Sequence, residues 1–283
     1  MDEHFAAFSF VDRITALDPG KSARAVFAIP AGIREFPRAL VAEAVGQLAA
    51  WVAMSAIEYR GRPVAALAAE TRFYAEPRPG QTLDLEVLLT DCDDAAVAYG
   101  GKACVQGQCV AELVHCLGPM LPAADFDSPE ALRERFALLC GEGATPHRFK
   151  GVALDQPVVT EHVPGESIHA TLQVPRDAPF FRDHFPRRHV FPATLMLDAQ
   201  MRLATTLAGE SSRAATEPLS LRRMINVKVR AFTTPGQVVE LRADATQQED
   251  KTLRVALTAA LEGKTIATAR VEFGAGRWTG DGA

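Results

Sequence analysis

The chain repeats itself. Pro37-Arg38-Ala39-Leu40-Val41-Ala42-Glu43-Ala44 aligns with Pro192-Ala193-Thr194-Leu195-Met196-Leu197-Asp198-Ala199 at an offset of 155, and Pro79-Gly80-Gln81 aligns with Pro235-Gly236-Gln237 at an offset of 156. Two anchors in the same order, separated by one inserted residue, constrain both halves to one supersecondary plan. A length of 283 residues accommodates two domains of that size. The repeat divides the chain into residues 1–120, a linker at 121–145, residues 146–275, and a glycine-rich tail at 276–283 that is expected to fray.

Each half has the same predicted layout. An opening strand (Phe8 to Thr15; Val152 to Val159) leads to a second extended run (Ala23 to Ile29; Ser167 to Val174). A proline-marked loop then enters a long apolar helix, about Ala39 to Tyr59 in the first half and Thr194 to Gly209 in the second. Period-two runs follow, such as Leu83-Asp84-Leu85-Glu86-Val87 and Val239-Glu240-Leu241-Arg242-Ala243, which predict half-exposed antiparallel strands. A helix that is apolar almost all round needs burial on every side, and a curled antiparallel sheet supplies it. No helix alternates with each strand, so the class is α+β. In the linker, Ser128-Pro129 is a good helix start and predicts a short helix through Ala131 to Leu139.

Composition narrows the function. A net charge of −5 gives no global reason to bind nucleic acid or an anionic membrane, so any basic recognition surface is local. Five cysteines with no Cys-x-x-Cys pair argue against a disulfide framework and against a zinc site, and no metal or cofactor is expected. The acidic start, Met1-Asp2-Glu3-His4, is unlike a signal peptide, which makes the cytoplasm the expected compartment. Ala39 to Ile57 is nearly long enough to span a membrane, but Glu43 within it favours a helix buried inside protein.

The chemistry concentrates in His184-Phe185-Pro186-Arg187-Arg188-His189-Val190-Phe191-Pro192-Ala193, with Asp198 fourteen residues after His184. This stretch resembles the bacterial 3-hydroxyacyl-ACP dehydratases, whose signature is His-Phe-Pro-x-x-Pro-Val-x-Pro-Gly followed by an acid at that distance. His184, Phe185, Pro186, Val190, Pro192 and Asp198 match; His189 and Ala193 depart, standing where the family has proline and glycine. The resemblance implies a double hot dog, two long central helices each wrapped by an antiparallel sheet, the two sheets forming one. It also implies elimination of water from a 3-hydroxyacyl thioester to give the trans-2-enoyl thioester, in fatty-acid or polyketide-like biosynthesis.

That reaction needs a base for the C2 proton, an acid for the leaving hydroxyl and a donor for the enolate oxygen. A neutral imidazole suits the first role and a protonated carboxyl the second. A backbone N–H at a helix N-terminus suits the third. By resemblance these are His184, an acid on a central helix and the N–H of Ala193. In the family the acid comes from the partner hot dog, so His184 is expected to face Glu43. The opposite pseudo-site, read from the offset as Ile29, Arg38 and Asp198, is expected to be inactive; Asp198 itself remains a secondary candidate acid. Arg182, Arg187 and Arg188, with Arg222 and Arg223 further on, are candidates for docking an acidic acyl carrier protein. The chain is expected as a pseudo-dimeric monomer or a homodimer. Two alternatives stay open: a hot-dog acyl thioesterase, and a non-catalytic acyl-ACP-binding pseudo-dehydratase.

Overall fold

A computed structural model describes residues 5, 7–64, 66–153, 156–211, 218–249 and 252–276. The acidic start at residues 1–4 and the tail from residue 277 onward lie outside the described residues.

The first half runs β1 (Arg13–Asp18), β2 (Ser22–Ala28), α1 (Arg38–Ala56), β3 (Gly61–Pro63), β4 (Leu67–Phe73), β5 (Thr82–Cys92), β6 (Ala96–Val105) and β7 (Gln108–Pro122). The second runs β8 (Val158–Val163), β9 (Ser167–Gln173), α3 (Ala193–Ser211), β10 (Ser220–Val229), β11 (Val238–Glu249), β12 (Thr252–Leu261) and β13 (Lys264–Gly274). Between them lies α2 (Pro129–Cys140), where the Ser128 hydroxyl accepts from the Ala131 N–H as the capping reading requires.

All strands join one antiparallel sheet, in the order β1-β2-β5-β6-β7-β4-β10-β13-β12-β11-β9-β8, with β3 paired to β7 off that path. The two halves meet where β4 pairs β10, Thr71 opposite Met224. α1 packs on β5 and its neighbours, α3 packs on β11 and β12, and the two helices touch. α1 is long and apolar enough to cross a membrane by length and composition. In this fold its apolar residues, Leu40, Val45, Leu48 and Val52 among them, are wholly buried against the sheet. Gly101 permits that seat, because a Cβ there would come within 2.7 Å of Val45 Cγ1 and 2.6 Å of the Glu86 carbonyl oxygen.

The repeat extends to individual hydrogen bonds. Gly80 and Gly236 both adopt positive φ, at 87° and 84°. Ile29 exchanges backbone hydrogen bonds with Gln81 and Gly80, and Val174 does the same with Gln237 and Gly236. This corrects one sequence expectation. The structural counterpart of Ile29 is Val174, not His184. The loop from the second strand to the helix is longer in the second half, and the added length holds the 3-10 turn Pro179–Arg182 and His184. The first half has thus lost the whole histidine-bearing loop, and a constant offset carried across it pairs unrelated positions.

The opening strands also begin later than expected, at Arg13 and Val158. Phe8 and Phe10 lie before the first strand, and both rings are buried, 4.9 Å apart. Arg222 and Arg223 lie on β10 and are consumed structurally. Arg223 pairs with Glu70 across the seam and with Glu272, while Arg222 donates to the carbonyls of Gly274, Ala275 and Gly276. They are therefore removed from the candidate docking cluster.

Candidate active site

A cavity of about 210 Å³ opens between α1, the N-terminus of α3 and the strands at the seam. Glu43, His184, Ala193 and Thr194 all line it, so one half supplies the acid and the other supplies the imidazole and the helix end. Asp198, Ile29 and Arg38 are absent from its lining.

His184 sits midway along the long loop, just after its 3-10 turn. Its Nδ1 lies 2.9 Å from the carbonyl oxygen of Val190. A carbonyl only accepts, so Nδ1 carries the proton and Nε2 keeps its lone pair. The ring stacks on Phe185 at 4.1 Å between centroids, and Phe8 meets it edge-on at 5.5 Å. Burial among these rings pushes the imidazole below its ordinary value. The Arg62 charge acts in the same direction, and the Glu43 carboxylate and the Val190 carbonyl oppose it. At neutral pH the group is therefore a neutral base.

Glu43 projects from α1 with both carboxylate oxygens engaged. Gln47 Nε2, one turn further along α1, donates to Oε1 at 3.0 Å, and the Thr194 hydroxyl donates to Oε2 at 2.9 Å. The second bond ties α1 of one half to the first turn of α3 in the other. A hydroxyl can accept as well as donate, so Thr194 can serve Glu43 in either protonation state. Gln47 also brackets the N-terminal segment, donating to the Phe8 carbonyl at 3.0 Å and accepting from the Phe10 N–H at 2.8 Å. Asp183, next to His184, accepts from the Ala7 and Phe8 N–H groups at 2.8 Å each. The segment thus crosses from one half to the other beside the imidazole.

Ala193 and Thr194 open α3, where the first N–H groups have no carbonyl behind them in the helix. With the helix dipole, they make the positive end of the cavity. Arg62 on β3 also lines the cavity, with its guanidinium carbon 4.2 Å above the Phe185 ring. Burial lowers its pKa to about 10, so it stays charged at neutral pH.

The mirror position holds different chemistry. Asp198 accepts from Arg202 at 2.8 Å, and Arg202 also reaches Glu35 of the shortened first-half loop at 2.7 Å. Burial raises the Asp198 pKa, and Arg202 acts against that rise. Arg38, where the second half has Ala193, is ion-paired with Glu76 at 2.9 Å and donates to the Leu221 carbonyl. Among the described residues, no group of three or more His, Cys, Asp or Glu could hold a metal ion.

Arg182, Arg187 and Arg188 are exposed. Arg187 is anchored to the linker, its backbone N–H on the Phe126 carbonyl and its guanidinium on that of Ala124. Arg188 lies over the rings of Phe126 and Phe232, and Phe232 lines the cavity. The two therefore crowd one edge of the cavity.

Residues 146–270 match the profile of the FabA-like domain. The chain is therefore similar to that domain over most of its C-terminal half. The chain is 29% identical to the 3-hydroxyacyl-[acyl-carrier-protein] dehydratase FabZ of Pseudoalteromonas translucida, across 129 residues that cover 44% of this chain and 84% of the relative. The FabZ of Lactobacillus helveticus is also 29% identical, covering 45% and 85%. Across both halves the fold is similar to the dehydratase domain of PpsC from Mycobacterium tuberculosis, solved with C12:1-CoA (TM-score 0.54, 15% identity, 95% of this chain and 99% of that one). It is also similar to a putative oleoyl thioesterase of Lactobacillus plantarum (TM-score 0.59, 11% identity, 90% and 96%). These likenesses establish the double hot dog. The FabA-like half carries the His184 loop, and the other half, outside the FabA-like match, carries Glu43.

Thr194, Gln47, Asp183 and Arg62 were not singled out in the sequence. Gln47 had a signal, since a residue four after Glu43 shares its helix face. Asp183 and Arg62 had none, because their partners come from distant segments.

Proposed function

We propose that the chain is a 3-hydroxyacyl-[acyl-carrier-protein] dehydratase with one working site built across its two halves. The observation that carries this reading is the pairing in one cavity of His184, its Nε2 lone pair free, with Glu43 from the other half. His184 takes the C2 proton on Nε2. The thioester oxygen, gaining charge as the enolate forms, is held by the Ala193 N–H at the positive end of α3. Glu43 gives a proton to the C3 hydroxyl, which departs as water and leaves the trans-2-enoyl thioester. Thr194 and Gln47 hold the carboxylate that Glu43 becomes. The exposed Arg182, Arg187 and Arg188 receive the acidic carrier protein, in fatty-acid or polyketide-like chain building.

The competing thioesterase reading predicts a different product. Incubation with crotonyl and 3-hydroxybutyryl thioesters is expected to interconvert the two without releasing free thiol. His184→Ala is expected to lower that rate by about 10²–10⁴-fold, the usual effect of removing a general base. Thiol release as the main reaction, or an alanine variant with near wild-type turnover, would overturn the dehydratase reading.

A further inference from the structure

One charged side chain faces the cavity without a partner and has no part in the proposed dehydration. We propose that Arg62 binds a carboxylate on the acyl chain beyond C3, so that the preferred substrates are 3-hydroxyacyl thioesters ending in a second carboxylate. This inference rests on the dehydratase reading of the same site.

The carboxylates whose charge reaches Arg62 are those of Asp127, Glu43 and Asp183. Each is already committed. Asp127 holds Arg135 at 2.7 and 3.2 Å, Glu43 holds Gln47 and Thr194, and Asp183 holds the backbone N–H groups of Ala7 and Phe8. Among the described residues none forms a hydrogen bond or ion pair with the Arg62 guanidinium, whose recorded contact is the Phe185 ring. Arg135, the other arginine lining the cavity, differs because its charge is met by Asp127. A half-buried guanidinium facing the cavity without an anion is costly, and so is a carboxylate carried alone into an apolar cavity; together they satisfy each other.

The position fits a chain end and not the reacting carbons. Phe185 stacks with His184 at 4.1 Å and with Arg62 at 4.2 Å. One face of a ring cannot hold both planar groups at that spacing, so they take opposite faces. The guanidinium is therefore separated from the imidazole by the ring, too far for the proton transfer yet within the span of a short acyl chain. The walls beyond are apolar, with Val64, Leu67, Leu117 and Val227 among them. Among the described residues lining the cavity, Arg62 is the arginine whose charge no carboxylate side chain already meets.

The test compares pantetheine thioesters of 3-hydroxyacyl chains of five to eight carbons, each ending in methyl or in carboxylate. It uses wild type and Arg62→Gln, read as the ratio of kcat/KM between chain ends so that a general loss of activity cancels. Wild type is expected to prefer the carboxylate end at one or more lengths by tenfold or more, and Arg62→Gln to reverse that preference. Turnover of methyl-ended chains with rejection of every carboxylated one overturns the inference and leaves the dehydratase reading intact. An equal effect of Arg62→Gln on both chain ends also overturns it. Turnover of neither class removes the dehydratase reading, and the inference falls with it.

Discussion

Thr194→Val removes one hydroxyl and keeps the side chain's shape. That hydroxyl donates to Glu43 Oε2 at 2.9 Å, and Gln47 remains on Oε1. As Glu43 gives up its proton it becomes a carboxylate, so the Thr194 bond is stronger in the transition state than in the ground state. A hydrogen bond to a charged acceptor contributes about 1.5–3 kcal/mol. Only its excess over the roughly 0.5–1.5 kcal/mol of the ground-state bond lowers kcat, so the loss is expected to be about 5- to 15-fold. KM should change little, because the bond is not made to substrate. The assay follows the ultraviolet absorbance of the enoyl thioester formed from a 3-hydroxyacyl pantetheine thioester, with circular dichroism confirming the fold. A valine variant with wild-type kcat would show that Glu43 does not change charge during turnover.

The acidic limb of kcat/KM should lie below the ordinary imidazole range, since burial disfavours the imidazolium of His184; a limb at or above that range would remove it as the base. Reversing Arg187 and Arg188 to glutamate should raise KM for acyl-carrier protein more than for a pantetheine thioester, and equal effects would remove the docking role. Asp12 accepts the Ala28 N–H, and burial raises its pKa from 3.8 to about 6. A raised carboxylate costs nothing well below its unfolded value and its full penalty above its folded one, so Asp12→Asn should stabilise the protein by about 3 kcal/mol at pH 8 and by almost nothing at about pH 3. Denaturant unfolding at both pH values checks this; equal changes at both would contradict the burial penalty.

The architecture was legible because the repeat and two all-apolar helices leave few ways to bury both. Offset arithmetic failed where the halves differ in length. Pro37 and Pro192 align, but the loops before them do not, so Ile29 was paired with His184 although it occupies the place of Val174. The opening strands were placed early because apolar residues such as Phe8 and Phe10 read as strand, whereas they fill the core beside the cavity. Arg222 and Arg223 read as surface charge, since a sequence does not display the Glu70 and Glu272 that face Arg223 across neighbouring strands. The motif marked His184 and Ala193. The Thr194 hydroxyl that steadies Glu43 and the unpartnered charge of Arg62 depend on contacts between residues far apart in the chain, and emerge only from the packed structure.

The central claim is that the base and the acid come from opposite halves. The direct measurement is kcat for Glu43→Gln and Asp198→Asn, two changes that remove an ionisable group with little change in volume. Glu43→Gln is expected to lose about 10²-fold or more, as for a missing general acid. Asp198→Asn, whose partner is Arg202 and which lies outside the cavity lining, is expected to lose little. An inactive Asp198→Asn beside an active Glu43→Gln would place both groups in the FabA-like half and contradict the crossed site.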